Sequence, residues 1–348
     1  MKWWTAAVQS NCPSWQRRLG YGGGLLLLLC IGLLASCIVA ERHAAPAPDA
    51  DAQVAALRQS TQIHARSGLS AIVNLPRPLK IITGPQPIGY SVAGLPLESY
   101  RYGTGPTRVA FVGGIHGGTE WNTILLAYAA IDYFDRHPER VPSAITLQIV
   151  PSANPDGQRL VTGSWGRFLP EAVDTAVAEA RFNRNGVDLN RNWGCGWAET
   201  AWWGAVEISG GRAPFSEPET RALRDFFLGD DNPVQAVVFW HSAVPGVFAG
   251  GCDGIYPAAE RLATIYAQAA SYPQGASFVY YPITGDATNW LSQQKIPAII
   301  VELATRDDPE WSQNLAGMLA LLDYVAGRKQ VAAGEDNGTI IGERRLAR

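Results

Sequence analysis

The sequence predicts an α/β fold with a largely parallel or mixed sheet, and two observations support that prediction. Short apolar runs, typical of buried strands, alternate with longer stretches of helical pattern between residues 108 and 326, as expected of α/β proteins. Hydrophobic residues make up 47% and charged residues 17% of the 348 residues, which fits a globular protein with a large core. The net charge of −3 provides no basic face that would indicate nucleic-acid binding.

The predicted elements follow one another in a regular order. Residues 90–92 and 97–101, separated by a turn at Gly94, predict a hairpin. Buried strands are predicted at residues 108–112, 145–150, 236–240 and 298–303. Helices are predicted at residues 121–137, 217–228, 258–270 and 313–326.

The N-terminal 40 residues have the pattern of an export signal. Arg17 and Arg18 precede the leucine-rich run 25–34, and small residues follow it. The stretch Leu34-Ala35-Ser36-Cys37 resembles a bacterial lipobox, in which the cysteine carries lipid. Two alternatives stay open: an uncleaved anchor, since residues 19–40 approach the ~20 residues that span a bilayer, and ordinary cleavage. All three predict an extracytoplasmic protein that is membrane-anchored or secreted.

The rest of the chain divides into three predicted parts. Residues 41–80 form a linker and lead-in, beginning with a stretch rich in Ala, Pro and Asp. Residues 81–327 form the main domain, and residues 328–348 a loose polar tail. Outside the leader the chain has two cysteines, Cys195 and Cys252. In an exported protein they can form a disulfide or remain two buried thiols.

Three predicted strand ends carry candidate catalytic side chains. His116 follows the first buried strand, His241 directly follows the third, and Glu302 lies within the fourth. Because ligands of open α/β sheets collect at the carboxyl ends of strands, these side chains are expected to converge.

A possible metal motif begins at the first of these residues. Gly117, Gly118 and Thr119 separate His116 from Glu120. Together with a second histidine, the pair would form the His₂Glu set of catalytic zinc sites, with the fourth position left for water. The alternative is a strand-end histidine followed by a glutamate that caps a helix.

Six short motifs in a fixed order give a more specific signal. They are Gly113-Gly114-Ile115-His116 with Glu120-Trp121, Asn154-Pro155-Asp156-Gly157, Gly186-Val187-Asp188-Leu189-Asn190-Arg191-Asn192-Trp193, Pro214-Phe215-Ser216-Glu217-Pro218-Glu219-Thr220, His241-Ser242 and Glu302. From about residue 90 to residue 305, this series resembles the zinc metallocarboxypeptidase family, the carboxypeptidase A-like group. The resemblance implies a three-layer α/β/α fold with a central mixed, twisted sheet, in which residues 81–327 are the catalytic domain. It also implies one zinc ion per chain.

The resemblance further implies a role for individual residues. His116, Glu120 and His241 would bind zinc, and Glu302 would act as general base and acid on the zinc-activated water. Asp188 would orient His116 through its second ring nitrogen.

Other matching residues would contact the substrate. Asn190 and Arg191 would hold the terminal carboxylate, which a guanidinium can bond bidentately. Arg181 would stabilise the oxyanion, with Arg184 as the alternative. Tyr281 would close over the substrate, with the neighbouring Tyr280 as the alternative.

The chain departs from the family pattern at the metal motif and leaves specificity open. The family usually has two residues between the first histidine and its glutamate, where this chain has three, and the arginine often found just before that glutamate is absent. Ile283, Asp286 and Thr288 are expected to line the specificity pocket. Asp286 would select a basic C-terminal side chain, serve as an ordinary loop acid, or bind the amine of a cell-wall peptide.

Three functions follow from these observations. The leading hypothesis is a monomeric carboxypeptidase acting on peptide or protein C-termini without removal of its lead-in. A second is a cell-wall peptidase that cuts a γ-D-glutamyl-diaminopimelate bond. A third is a non-catalytic peptide-binding protein, which the longer spacing between His116 and Glu120 would favour.

Overall fold

The computed structural model of the chain describes residues 82–229, 232–275, 278 and 281–336. The predictions of a leader at residues 1–40 and of a linker and lead-in at residues 41–80 lie outside the described residues. Within the described residues, no helix is both long and apolar enough to cross a bilayer.

An eight-stranded sheet lies at the centre of the described chain. Its strands are β1 (Ile82–Tyr90), β2 (Pro96–Tyr102), β3 (Thr107–Val112), β4 (Ile145–Val150), β7 (Ala236–Ser242), β8 (Gly246–Ala249), β9 (Gln274–Gly275) and β10 (Ala298–Leu303), in the order β1-β2-β4-β3-β7-β10-β8-β9. A separate hairpin pairs β5 (Thr200–Trp203) with β6 (Val206–Ser209). The main helices are α1 (Trp121–Arg136), α2 (Pro155–Thr162), α3 (Pro218–Leu228), α4 (Pro257–Ala270), α5 (Ala287–Gln293) and α6 (Trp311–Asp336).

The sheet is mixed, with a parallel centre. Strands β4, β3, β7 and β10 are parallel neighbours, whereas β2 and β8 pair with this group in the antiparallel sense. The carboxyl ends of β3, β7 and β10 therefore lie at one edge of the sheet.

Helices cover both faces of this sheet. Successive residues of a strand point to opposite faces: Val109 and Phe111 of β3 share a core with residues of α1, α4 and α6. Ala110 and Val112 share a second core with residues of α3 and α5. The predicted three-layer α/β/α architecture with a mixed sheet is confirmed.

Most observed elements differ from the predicted ones at their ends, but the hairpin strand predicted at residues 90–92 is wrong, because β1 is Ile82–Tyr90 and ends where that prediction begins. The strands at Ile145–Val150 and Ala298–Leu303 have the predicted bounds, while β7 continues to Ser242 and so includes His241. Helix α6 continues beyond Gly327 to Asp336. The prediction of a loose tail from residue 328 is therefore wrong for its first part, where arginine, lysine, glutamine and alanine favour a helix. The tail beyond residue 336 lies outside the described residues.

Cys195 and Cys252 form a disulfide, with their Cα atoms 5.9 Å apart. Of the two alternatives that the sequence leaves open, the structure has the bonded one. Cys195 packs in the core between the sheet and helices α3 and α5. Cys252 lies in the segment after β8.

Removing this disulfide should destabilise the fold. A double substitution, Cys195→Ala with Cys252→Ala, should lower the free energy of unfolding by about 4 kcal/mol. The reason is that the unfolded chain gains conformational entropy when it loses a cross-link between residues 57 positions apart. Urea denaturation of the variant, compared with oxidised and reduced wild type, measures the change. A loss below about 1 kcal/mol would mean that the bond does not constrain the unfolded chain as the loop length implies.

Candidate active site

The segment after β3 turns sharply and carries the first two site residues. Gly114 and Gly117 have positive φ values of 60° and 48°, a conformation that glycine adopts readily. A Cβ atom at Gly117 would lie 2.6 Å from the carbonyl oxygen of Ala180. The short 3₁₀ turn Gly117–Glu120 places the side chain of Glu120 against that of His116, with His116 Nδ1 and Glu120 Oε1 2.8 Å apart. The turn accommodates the extra residue of this motif.

His241 completes a group that could bind a metal. It lies near the carboxyl end of β7, and its Nδ1 is 3.2 Å from His116 Nδ1 and 3.1 Å from Glu120 Oε2. All three side chains are buried. Around a tetrahedral zinc ion with bonds of about 2.0–2.1 Å, neighbouring ligand atoms lie roughly 3.3 Å apart. Two nitrogens and a carboxylate at these separations fit zinc in both donor type and spacing.

Asp188 supports the first histidine from the other side of its ring. Its Oδ1 lies 3.3 Å from His116 Nε2, so it can accept a hydrogen bond from Nε2–H in the tautomer that leaves Nδ1 available for a metal. Burial by itself would raise the pKa of Asp188, but Arg181 and His116 hold this pKa well below its usual range. Asp188 therefore stays ionised and can accept a hydrogen bond from the ring N–H of His116.

Arg181 lies beside the same group. Its Nε donates to Asp188 Oδ2 at 2.8 Å, and its Nη1 lies 3.5 Å from Glu120 Oε1. Its Nη2 lies 2.9 Å from His116 Nε2; in the tautomer with the proton on Nε2 this nitrogen has no lone pair to offer, and the guanidinium is then held by Asp188. Arg184, the alternative, is exposed at the surface.

The hairpin of β5 and β6 reaches this group, which the sequence did not predict. The ring of Trp203 stacks on the guanidinium of Arg181, with its centroid 4.6 Å away. The carbonyl oxygen of Trp202 accepts a hydrogen bond from Arg191 Nη2 at 3.3 Å. The turn residue Gly204 has a φ of 60°, and its position between two short alternating runs was the available signal for this hairpin.

Glu302 occupies β10 directly beside His241 of β7 in the parallel register. Its side chain is 8% exposed, and within the described residues its Oε2 has no hydrogen-bond partner. Burial, reinforced by the charge of Glu120 and opposed by His241, raises the pKa of Glu302 to about 7. A carboxylate with a free oxygen and a pKa near neutrality suits proton transfer.

A cavity of about 380 Å³ opens at this edge of the sheet. Its lining includes His116, Asn190, Arg191, His241, Phe248, Ala249, Gly251, Cys252, Gly254, Ile255, Phe278, Tyr281, Pro282, Ile283, Asp286, Thr288, Asn289, Ile300 and Glu302. The predicted metal, base, carboxylate-binding and pocket residues thus meet in one place. Within the described chain, Arg181, Asp188 and Glu120 lie beside the cavity rather than in its lining.

Arg191 is a buried cation without an ion-pair partner among the described residues. Its side chain is 2% exposed, and no carboxylate of the described residues forms an ion pair with it. Its Nη1 donates to the carbonyl oxygen of Asn190 at 2.7 Å, and its Nε has no partner among the described residues. A buried charge is costly without a counterion, so this guanidinium could bind an anion.

Tyr281 lies beside this guanidinium. The guanidinium of Arg191 is 5.8 Å from the centroid of its ring. Burial raises the pKa of Tyr281, with Arg191 and Arg181 acting in the opposite direction, so its hydroxyl keeps its proton near neutral pH. Tyr280, the alternative, lies outside the described residues.

The arrangement defines a class of protein: a metal-dependent hydrolase with a His₂Glu group that could bind a metal, a neighbouring carboxylate and a buried guanidinium without an ion-pair partner among the described residues. The family model described as zinc carboxypeptidase matches residues 73–248. This chain belongs to the zinc carboxypeptidase family, a family of metal-dependent peptidases.

Known relatives agree with that assignment. Carboxypeptidase B of Rattus norvegicus is 27% identical over 178 residues, which cover 46% of this chain and 41% of the relative. The chain thus matches about two-fifths of the length of that relative.

Two solved structures share the fold. Carboxypeptidase A from Helicoverpa armigera has a TM-score of 0.54 at 20% identity, covering 73% of this chain and 69% of that one. Bovine thrombin-activatable fibrinolysis inhibitor, solved in complex with tick carboxypeptidase inhibitor, has a TM-score of 0.56 at 18% identity, covering 82% and 97% of the two chains.

Proposed function

We propose that this protein is a zinc-dependent carboxypeptidase that releases the C-terminal residue of peptides. The observation that carries the proposal is the buried guanidinium of Arg191. It lacks a carboxylate partner among the described residues and lines the same cavity as the metal-binding group and Glu302. A substrate with a free terminal carboxylate would supply the missing counterion and place its last peptide bond near the metal-binding group.

The chain's own residues account for the remaining chemistry. A bound zinc ion would supply a Lewis acid and lower the pKa of its water to about 7. His116, Glu120 and His241 would hold that ion. Glu302 would take the proton of the water through its free Oε2 and deliver it to the leaving nitrogen.

Arg191 and Arg181 would each stabilise a different negative charge of the substrate. Arg191, with Asn190 beside it, would bind the ground-state carboxylate. Arg181 is positioned next to His116 and Glu120, and we assign it to the oxyanion that develops on the scissile carbonyl. Tyr281, on the cavity wall beside Arg191, would cover the bound residue.

The test combines metal content with hydrolysis of blocked dipeptides. Each dipeptide is compared with its C-terminal amide, which has the same side chains but no carboxylate. We expect one zinc per chain, inhibition by a chelator with recovery on zinc addition, and at least ~10²-fold lower kcat/KM for the amide, the size of effect seen when one partner of a buried ion pair is lost. Equal rates on acid and amide would refute the proposal.

The same assay separates the other two hypotheses. Release of diaminopimelate from muropeptides, without hydrolysis of dipeptides, would support the cell-wall peptidase. Tight binding of peptides without hydrolysis of any substrate would support the non-catalytic binding protein.

The cellular setting is a proposal from the leader sequence. We propose an extracytoplasmic enzyme, tethered to the membrane through its N-terminus or secreted, that acts as a monomer on peptide or protein C-termini. Labelling of the exported chain with a radioactive fatty acid tests the lipobox: Cys37→Ser should abolish the label, and an unlabelled wild type would contradict lipidation.

A further inference from the structure

We infer that the pocket accepts an apolar C-terminal side chain, and that Asp286 orients Asn190 rather than selecting a basic residue. The inference rests on the proposed function and adds its substrate class. Two independent features carry it: the hydrogen bonds that occupy Asp286, and the composition of the cavity wall.

Both carboxylate oxygens of Asp286 already accept hydrogen bonds from the protein. Oδ1 accepts from Thr288 Oγ1 at 2.6 Å and from the backbone N–H of Asn289 at 3.0 Å. Oδ2 accepts from Asn190 Nδ2 at 2.8 Å. The bond from Asn289 caps the N-terminus of α5. The side chain is only 2% exposed, which leaves little of the carboxylate for a substrate ammonium or guanidinium.

The same bonds fix the amide of Asn190 in one orientation. Its Oδ1 accepts the backbone N–H of Ala287 at 3.0 Å, while its Nδ2 donates to Asp286. An amide nitrogen carries two hydrogens, so one N–H of Asn190 remains for a substrate carboxylate beside Arg191. Asp286 is therefore a positioning residue for the predicted carboxylate site.

Polar and apolar groups both line the cavity, and the apolar side chains lie outside the metal-binding and carboxylate-binding residues. Besides the metal-binding and carboxylate-binding residues, its side chains include Phe248, Ile255, Phe278, Ile283 and Ile300. Glu302 and Asp286 are the only acids in the described lining. Because Glu302 lies beside the metal-binding group and the buried Asp286 already accepts three hydrogen bonds, a basic side chain would lose its hydration without gaining an accessible counterion. An aromatic or aliphatic side chain would instead make the free energy of binding more favourable, because its apolar surface is removed from water.

A substrate panel gives the first test. N-blocked dipeptides ending in Phe, Leu, Lys or Arg are compared by kcat/KM at fixed pH and zinc. We expect Phe and Leu to exceed Lys and Arg by at least about tenfold. A preference for Lys or Arg would overturn the inference while leaving the carboxypeptidase activity in place.

The second test replaces Asp286 with Asn, which has nearly the same shape and remains a good helix cap. An amide has one accepting oxygen, so it cannot satisfy the donors of Asn190, Thr288 and Asn289 together. We expect kcat/KM to fall by about tenfold for every substrate of the panel, mainly through KM, with the ranking of substrates unchanged. A charge-selecting role predicts instead a loss confined to Lys and Arg substrates.

Controls keep the outcomes distinct. Asp253→Asn removes an exposed acid from the segment that carries Cys252 and Gly254, and it should leave the whole panel unchanged. A thermal melt of Asp286→Asn checks that the fold is retained. If no substrate ending in a free carboxylate is hydrolysed by wild type, the proposed function itself fails. If substrates are hydrolysed but Asp286→Asn loses activity only on basic ones, only the present inference fails.

Discussion

Glu302→Gln should lower kcat for release of a C-terminal residue by about 10³-fold or more, within the range expected of a lost general base. Glutamine keeps the shape of the side chain in β10 but cannot accept the proton of the attacking water. Because Oε2 of Glu302 has no partner among the described residues, its replacement should disturb few contacts of the fold. The measurement is single-turnover hydrolysis of a blocked dipeptide together with zinc content.

The zinc content separates this effect from damage to the metal site. Glu302→Gln should bind zinc as wild type does, whereas His241→Ala, the matched control in the neighbouring strand, should lose both zinc and activity. Activity of Glu302→Gln within tenfold of wild type would show that another group takes the proton.

The raised pKa of Glu302 also sets the direction of the pH dependence. The base must be ionised, so kcat/KM should fall as the pH drops through the pKa of this carboxyl. Burial raises that pKa to about 7 in the chain without a metal, and a bound cation acts in the opposite direction. The acid limb of the wild-type profile should therefore lie at or below about pH 7.

Arg191→Met should reduce kcat/KM on substrates with a free carboxylate by about 10²- to 10³-fold, the usual result of removing one member of a buried ion pair. Methionine fills much of the same volume without a charge. The loss should be far smaller on C-terminal amides, which offer no carboxylate. The discrimination between acid and amide should therefore collapse.

Arg191→Lys is the matched control for charge without the guanidinium fork. Lysine offers a point charge and cannot bond both oxygens in parallel, so its activity should lie between wild type and Arg191→Met. Melting temperatures of both variants check the fold, because Arg191 also bonds the carbonyl oxygens of Asn190 and Trp202. Equal losses on acids and amides would assign this arginine a purely structural role.

Local patterns allowed prediction of the α/β class and of three candidate site residues, whereas the three-layer architecture and the other site residues followed from the resemblance to the zinc metallocarboxypeptidase family. Apolar runs identified the strands, and the polar residues at their ends identified His116, His241 and Glu302. A parallel sheet brings such ends to one edge whatever the sequence separation, and here Glu302 and His241 are partners in the register.

Other features depended on three-dimensional contacts that a sequence does not encode locally. The spacing of His116 and Glu120 is one residue longer than in the family pattern. The sequence did not predict the 3₁₀ turn, with Gly117 at positive φ, that accommodates this extra residue. Trp203 joins the site through a hairpin remote from any motif. The hydrogen bonds that occupy Asp286 come from Asn190 in one segment and from α5 in another, so the sequence could only leave its role open.

The disulfide has a consequence for how the cavity wall can move. It ties Cys195, which follows the Asn190-Arg191 segment, to Cys252 on the wall of the cavity. A covalent link therefore limits how far this part of the wall can move from Asn190 and Arg191, the proposed carboxylate-binding residues. In an oxidising compartment this link is retained, whereas reduction would remove the covalent restraint on that side of the cavity.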